Sequence, residues 1–408
     1  MKRISAILFS LFIAILFFAI PHTSGAQGKP DGLPEEALAH IPVCPPGSPS
    51  DNARCHARVV VNEKGDPFAT TGPVGYGPIQ FQTAYNVQNA TSSGRILAIV
   101  DAYDHPTIKS DLDTYSNQFG LPVLPTCDGS IATSAIPCFQ KVDQNGGTSY
   151  PVVDSGWALE ISLDVEAAHA ICPDCKLLLV EANSSSYGNL MTAVDRAVAM
   201  GANVVSNSYG SNEFSSETTF DYHFNKPGIA FTFSSGDNGY GTSYPAASRY
   251  VTAVGGTSLY LNSDNTYKNE VAWKGSGSGC SSYESKPSWQ KDTGCAKRSI
   301  ADVSAVADPN TGAAVYDTVA YSGQVGWFQV GGTSLAAPLI AGVYTLKGVP
   351  VATAANSLPY LNSPLTNLHD VTSGSNGGCS MRSRYLCTSL KGYDGPTGLG
   401  TPNGINGF

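Results

Sequence analysis

The stretch Trp157-Ala-Leu-Glu160-Ile-Ser-Leu-Asp164-Val-Glu-Ala-Ala168-His169-Ala170 reads as a helix with an awkward face. At a step of about 100° per residue, Trp157, Ile161, Leu163, Ala167 and Ala168 share one apolar arc. Glu160 and Asp164 stand in the middle of that arc, one turn apart. Ser162, Glu166 and His169 turn to the opposite, polar side. Carboxylates on a buried face are costly unless paired, protonated or used. Cations to pair them are sparse, because Lys and Arg together number 23 in 408 residues. The alternative to a salt bridge is a carboxyl pair that does acid–base work.

Outward from this helix, apolar runs alternate with helical patterns. Arg95-Ile-Leu-Ala-Ile-Val100, Lys176-Leu-Leu-Leu-Val180, Ala202–Ser208, Ile229–Ser234 and Tyr250–Val254 read as buried strands. Pro106–Phe119, Tyr187–Met200 and Ser215–Phe224 read as helices. This alternation implies an α/β fold, a mainly parallel sheet with helices on both faces. Sites in such sheets form at the carboxyl ends of strands, where Asp101, Ser208 and Asp237 fall. From Thr257 to Gly332 the pattern reads mostly as loop, and a helix is expected from Ser334 to Leu346.

Met1–Ala26 has the layout of a signal peptide: Lys2-Arg3, an apolar run from Ile7 to Ile20, then Ser24-Gly25-Ala26 as a cleavage site. Residues 27–72 are rich in Pro, Gly and Ala and read as a short extension or pro-segment before a domain spanning 73–408. No later run is long and apolar enough to span a membrane, so a secreted, monomeric mature protein is expected. A net charge of −9 argues against nucleic acid as a partner and suits an acidic medium. Ten cysteines fall as near neighbours, and five local disulfides are the simplest connectivity: Cys44/Cys55, Cys127/Cys138, Cys172/Cys175, Cys280/Cys295 and Cys379/Cys387. Asn89 and Asn183 begin N-glycosylation patterns, relevant only in a host that glycosylates.

The strongest local signal is Gly331-Gly332-Thr333-Ser334-Leu-Ala-Ala-Pro338, a glycine-rich turn with Ser at the mouth of a helix. Free N–H groups and the helix dipole there favour a developing negative charge. Pro338 is expected in the first turn. A nucleophilic Ser needs a base, and none of the seven histidines stands in a setting that offers one. Glu160 is the better candidate, since burial raises a carboxylate's pKa and a neighbour one turn away can share its proton. Asp237, in Ser234-Ser235-Gly236-Asp237-Asn238-Gly239, taken alone is a turn residue. Beside the other two motifs it reads as a protonated carboxyl that donates to an oxyanion.

Together these blocks resemble the sedolisin family, the serine-carboxyl peptidases with a subtilisin-like fold. The resemblance runs from about Gly75 to the end and rests on Glu160-Ile-Ser-Leu-Asp164, Ser206-Asn-Ser-Tyr-Gly210, Ser235-Gly-Asp237-Asn-Gly239, Val254-Gly-Gly-Thr-Ser258 and Gly332-Thr-Ser334-Leu-Ala-Ala-Pro338. It implies a three-layer fold and a secreted, acid-acting endopeptidase of protein or peptide substrates. Ser334 would be the nucleophile, Glu160 its base, Asp164 the support of Glu160, and Asp237 part of the oxyanion hole. Ser206, Ser208, Tyr209 and Gly210 would bind the substrate backbone. It further implies one calcium ion, held by the carboxylates of Asp370 and Asp394 and the carbonyls of Val371, Leu390 and Gly392. Leu390 stands where the family usually has Gly, Gly331 where it often has Ser, and the family's large amino-terminal prodomain has no counterpart. The rival readings are a catalytically silent binding protein on this fold, and a subtilisin-type enzyme built on Asp101, which would need a suitable His.

Overall fold

The structure, a computed structural model, describes residues 39–45, 52–362 and 366–408. The expected signal peptide and part of the 27–72 stretch lie outside the described residues. Four short strands come first: β1 (His40–Pro42), β2 (Arg54–Cys55), β3 (Arg58–Val60) and β4 (Ala69–Thr70). After helix α1 (Pro78–Ala84) the expected alternation begins: β5 (Ile96–Ala102), α2 (Ile108–Phe119), β6 (Phe139–Asp143), α3 (Ser155–Ile171), β7 (Lys176–Ala182) and α4 (Tyr187–Ala199). Strands β8 (Val204–Asn207), β9 (Tyr209–Asn212), β10 (Ala230–Ser234), β11 (Ser243–Tyr244), β12 (Thr252–Leu261) and β13 (Tyr267–Ala272) follow. The short ribbon of β14 (Gly279–Cys280) and β15 (Ser299–Ile300) leads to β16 (Val303–Val306), the hairpin of β17 (Ala313–Tyr321) and β18 (Gln324–Gly331), and helix α5 (Thr333–Lys347). A last pair, β19 (Leu368–His369) and β20 (Thr401–Pro402), closes the chain.

The central sheet runs β13-β12-β10-β8-β5-β7-β6, with β16 also on β12, and every pairing but β12–β13 is parallel. Its middle strands are covered on both faces by helices, so β5, β7, β8 and β10 are buried at every position. This is a subtilisin-like α/β fold. All five expected disulfides are formed.

Three expectations are corrected. The stretch from Thr257 to Gly332, read as mostly loop, also holds the end of β12 and all of β13 to β18. The longest of these strands form the β17–β18 hairpin. That hairpin also explains the second correction. Together with the segments that carry His105 and Pro122 it covers the polar side of α3, so Ser162, Glu166 and His169 are as buried as the apolar arc. Each finds a partner there: Ser162 Oγ with His105 Nε2 (2.9 Å), Glu166 Oε2 accepting from Tyr316 N (2.9 Å), and His169 Nε2 with Pro122 O (3.0 Å). A helical wheel compares the two sides of a helix and cannot sense a second layer of protein over the polar one. Third, residues 40–70 are woven into the domain that follows: β1 pairs with β3, and both β3 and β4 pair with β18.

Helices α3 and α5 pack directly on each other, and Gly342 makes that approach possible. A Cβ there would lie 2.1 Å from Ile171 Cγ2, and Ile171 is fully enclosed. We therefore expect Gly342→Val to destabilise the fold by about 1–3 kcal/mol, the usual cost of overpacking a tight core. A urea midpoint equal to wild type would show that the helices separate freely.

Candidate active site

Helix α3 is fixed at its start by Asp154, whose Oδ1 accepts from Gly156 N and Trp157 N at 3.0 Å each. Two turns of helix then carry Glu160 and Asp164 inward, where neither is exposed at all. Asp101, at the end of β5, completes a cluster of three carboxyls. None of their six oxygens has a hydrogen-bond partner among the described residues. Burial pushes Glu160 well above the ordinary carboxyl range, and the charges of Asp164 and Asp101 push it further. Burial and then Asp101 do the same to Asp164, and burial raises Asp101 to about 8. Like charges this close cannot all ionise, so the cluster holds protons in common.

The hydroxyls of Ser334 and Ser208 lie against the cluster and partly offset these shifts, Ser334 at Glu160 and Ser208 at Asp164. They are nevertheless bonded to each other's residues. Ser334 Oγ donates to Ser208 O at 3.3 Å, and Ser208 Oγ donates to Ser334 O at 3.3 Å. The second bond has a sequence cause. Helix α5 begins at Thr333, so Pro338 sits in its second turn rather than the expected first. Proline has no N–H for the carbonyl four residues back, and that carbonyl is Ser334's. Ser334 and Glu160 are thus neighbours, with the serine proton parked on Ser208 O.

Asp237 reaches α5 from the far side. Its Oδ1 accepts from Thr333 N and Thr333 Oγ1, both at 2.8 Å, and so caps the helix across a tertiary contact. Its Oδ2 is buried without a partner among the described residues. Burial raises its pKa to about 6 against the pull of the Thr333 bonds and of Arg58 and Arg54. Gly332 has φ +100°, a conformation few other residues accept, and a Cβ there would lie 2.6 Å from Asp237 Oδ2.

Of the expected substrate-binding residues, Ser208, Tyr209 and Gly210 lie along an edge that begins at the end of β8. Ser206 does not: it is inside the sheet, paired with Ile99 and Thr232. The edge is lined by a stretch that sequence reasoning set aside. Strand β2 pairs antiparallel with β9, Arg54 opposite Gly210 and Cys55 opposite Tyr209, and His56 N donates to Ser208 O at 3.0 Å. The only hint in the sequence is Cys55, whose disulfide marks the stretch as anchored. The His56 ring bonds Ser234 Oγ (2.8 Å), not Ser334, so Asp101 gains no histidine partner of the subtilisin type.

The expected calcium ligands come together near the chain's end. Asp370 accepts from Gly392 N (3.0 Å), and Asp394 accepts from Leu390 N (3.0 Å) and Thr397 N (2.9 Å). Asp394 is raised to about 7, by burial and more weakly by the charge of Asp370. Among the described residues no hydrogen bond ends on the carbonyls of Val371, Leu390 or Gly392. Two carboxylates and three free carbonyls, with no nitrogen or sulfur donor, suit a hard cation.

A buried serine–carboxyl cluster at the strand ends of a subtilisin-like sheet defines the class. Residues 153–349 match the subtilase family model. Sedolisin of Pseudomonas sp. (strain 101) is 29% identical over 85% of this chain, which spans 63% of that protein's length. Kumamolisin of Bacillus sp. (strain MN-32) is 28% identical over 86% of this chain and 67% of its own. The solved structure of Pseudomonas sedolisin, a serine-carboxyl proteinase complexed with pseudo-iodotyrostatin, superposes with a TM-score of 0.66 at 28% identity, covering 82% of this chain and 96% of that one. The chain is thus similar, over most of its length, to sedolisin and kumamolisin.

The carboxyl cluster makes a prediction about stability. Groups whose folded pKa is raised bind more protons folded than unfolded, so they stabilise below their unfolded pKa and that stability is lost as pH rises through the folded value. The buried histidines His56 and His169, both lowered from 6.5, act in the opposite sense only below 6.5. Between pH 6.5 and 8, where Asp101 titrates, the carboxyl effect is unopposed by them. Thermal unfolding should fall across that window, and Asp101→Asn should flatten the fall. Parallel curves for the two proteins would separate Asp101 from the effect.

Proposed function

We propose that this protein is a secreted serine-carboxyl endopeptidase that works in acid. The observation that carries the reading is the buried Ser334 set between Glu160, backed by Asp164, and Asp237 with a free oxygen. In the proposed mechanism Ser334 Oγ turns from Ser208 O to Glu160, which takes its proton as Ser334 attacks the scissile carbonyl. Burial and two neighbouring carboxyls make Glu160 a stronger base than a free carboxylate. Glu160 then delivers the proton to the leaving amine, and water hydrolyses the acyl-enzyme by the same route in reverse. The oxyanion would be held by the Ser334 N–H and by protonated Asp237 Oδ2. Ser208, Tyr209 and Gly210 would pair with substrate backbone as an added strand.

Asp370, Asp394 and the carbonyls of Val371, Leu390 and Gly392 would hold one calcium ion. It would neutralise two neighbouring carboxylates and brace the loop between β19 and β20, outside the chemical steps.

Two tests follow. Ser334→Ala and Glu160→Gln should each lower cleavage of a denatured protein by at least about 10³-fold with the fold retained. Wild-type activity should decline as pH rises through about 6, where Asp237 loses its proton. Substantial activity in Glu160→Gln, or a plateau at neutral pH, would sink the mechanism. Separately, EDTA should lower the melting temperature of wild type and leave Asp370→Ala unmoved; an equal response in both would exclude these ligands.

A further inference from the structure

On the side of α3 turned away from Glu160 and Asp164, four chain segments bring ionisable groups to one enclosed point. His105 comes from the turn after β5, Asp111 from the first turn of α2, Glu166 from α3 and Asp317 from β17. None of the four is more than 1% exposed. His105 Nε2 stands 3.2 Å from Asp317 Oδ1 and 3.5 Å from Asp111 Oδ2. One donor atom from each of these three residues lies within 4.8 Å of the other two. In a tetrahedral shell with bonds of about 2.0–2.1 Å, neighbouring donor atoms stand about 3.3–3.4 Å apart. The two distances from His105 bracket that value.

Two observations set the group apart from an ordinary ion pair. Its charge does not close. Three carboxyls face one imidazole, and among the described residues His105 is the ion-pair partner of Asp111 and Asp317 while Glu166 has none. Oxygens are also left over. Asp317 Oδ2 and Glu166 Oε1 are buried with no hydrogen-bond partner among the described residues. Glu166 is aimed at the group. It stands one turn beyond Ser162, whose Oγ lies 2.9 Å from His105 Nε2, and its Oε2 accepts from the N–H of Tyr316, next to Asp317. The charges of Asp111 and Asp317 both act on it. The aspartates are oriented from outside: Asp111 Oδ2 accepts from Thr318 N at 3.1 Å, and Asp317 Oδ1 from Val319 N at 2.7 Å. His105 Nδ1 has no partner among the described residues, so a neutral ring can keep its proton there and offer Nε2 to a cation.

We propose that His105, Asp111, Asp317 and Glu166 bind a zinc ion, apart from the calcium proposed near the chain's end. His105 gives Nε2 and each carboxyl gives one oxygen. A ring nitrogen among the donors favours zinc over calcium, which takes oxygen alone. The ion cancels two of three buried negative charges and ties the β5 turn, α2 and β17 to the outer face of α3. It braces the helix whose inner face carries Glu160 and Asp164 and takes no part in the chemical steps. The site stands or falls independently of the peptidase reading.

Because the group is enclosed, the ion must be present while the chain folds. Wild type, Asp317→Asn and Glu166→Gln are therefore produced with and without added zinc chloride, at one calcium concentration throughout. Gel filtration removes loose metal, and native mass spectrometry counts what stays. Wild type should hold one zinc per chain more than either variant. Its melting temperature should be higher when it is made with zinc, and theirs should not change. Should a variant fail to fold, zinc-edge X-ray absorption on wild type alone decides, with a shell of one imidazole nitrogen and three oxygens expected. The proposal is overturned if wild type holds no zinc, if either variant holds as much, or if the shell has any other composition.

Discussion

The structure depends on negative charge placed where no cation can answer it. Glu160, Asp164 and Asp101 share one buried space among α3, α5 and β5, and all six oxygens are without a hydrogen-bond partner among the described residues. Such a cluster is tolerable only while it keeps protons, because an unpaired buried carboxylate is far more costly than a buried acid. Everything around it maintains that condition. The β17–β18 hairpin seals the outer side of α3, Gly342 draws α5 down onto it, and Pro338 frees the Ser334 carbonyl to hold Ser208 in place.

The same bias extends beyond the site. Burial raises Glu217 to about 9, Glu284 to about 8 and Glu270 to about 7. The exception shows what pairing would have required. Arg298 and Asp302 are both fully buried, and the guanidinium also bonds the carbonyls of Ser248, Ser299 and Val251. Each charge there has its complement, whereas Glu160, Asp164 and Asp101 have no hydrogen-bond partner among the described residues. With 23 Lys and Arg in 408 residues, few cations are available to pair the carboxyls of the interior.

Much of this was legible in the sequence, for identifiable reasons. The buried strands announced themselves because a strand covered on both faces is apolar without interruption, as β5 and β7 are. Glu160 and Asp164 stood out because carboxyls on an apolar arc are expensive, and Ser334 because glycines precede it at a helix mouth. The five disulfides were legible because each joins near neighbours. What escaped depends on contacts distant in sequence. Glu166 is bonded to a hairpin 150 residues later, and Ser162 and His169 to His105 and Pro122, 57 and 47 residues earlier. Asp237 as a cap on Thr333 spans 96 residues. The Arg54–His56 stretch has no period, motif or composition that would mark it as the occupant of a cleft; its meaning is entirely in what it pairs with.

The seat of His56 also sets a condition on when the cleft is filled. Its burial, and next the nearby charge of Arg54, lower the pKa of the seated imidazole from 6.5 to about 3. Outside the pocket the ring takes a proton below about 6.5; inside, it must stay neutral, bonded to Ser234. By linkage, each step of acidification below the free value favours the ring in water over the ring in its seat. The strand is thus held most firmly near neutrality, where Asp237 is ionised, and loosens as the medium turns acid and Asp237 regains its proton. One drop in pH therefore acts on two neighbouring groups at once, the seated ring of His56 and the carboxyl of Asp237.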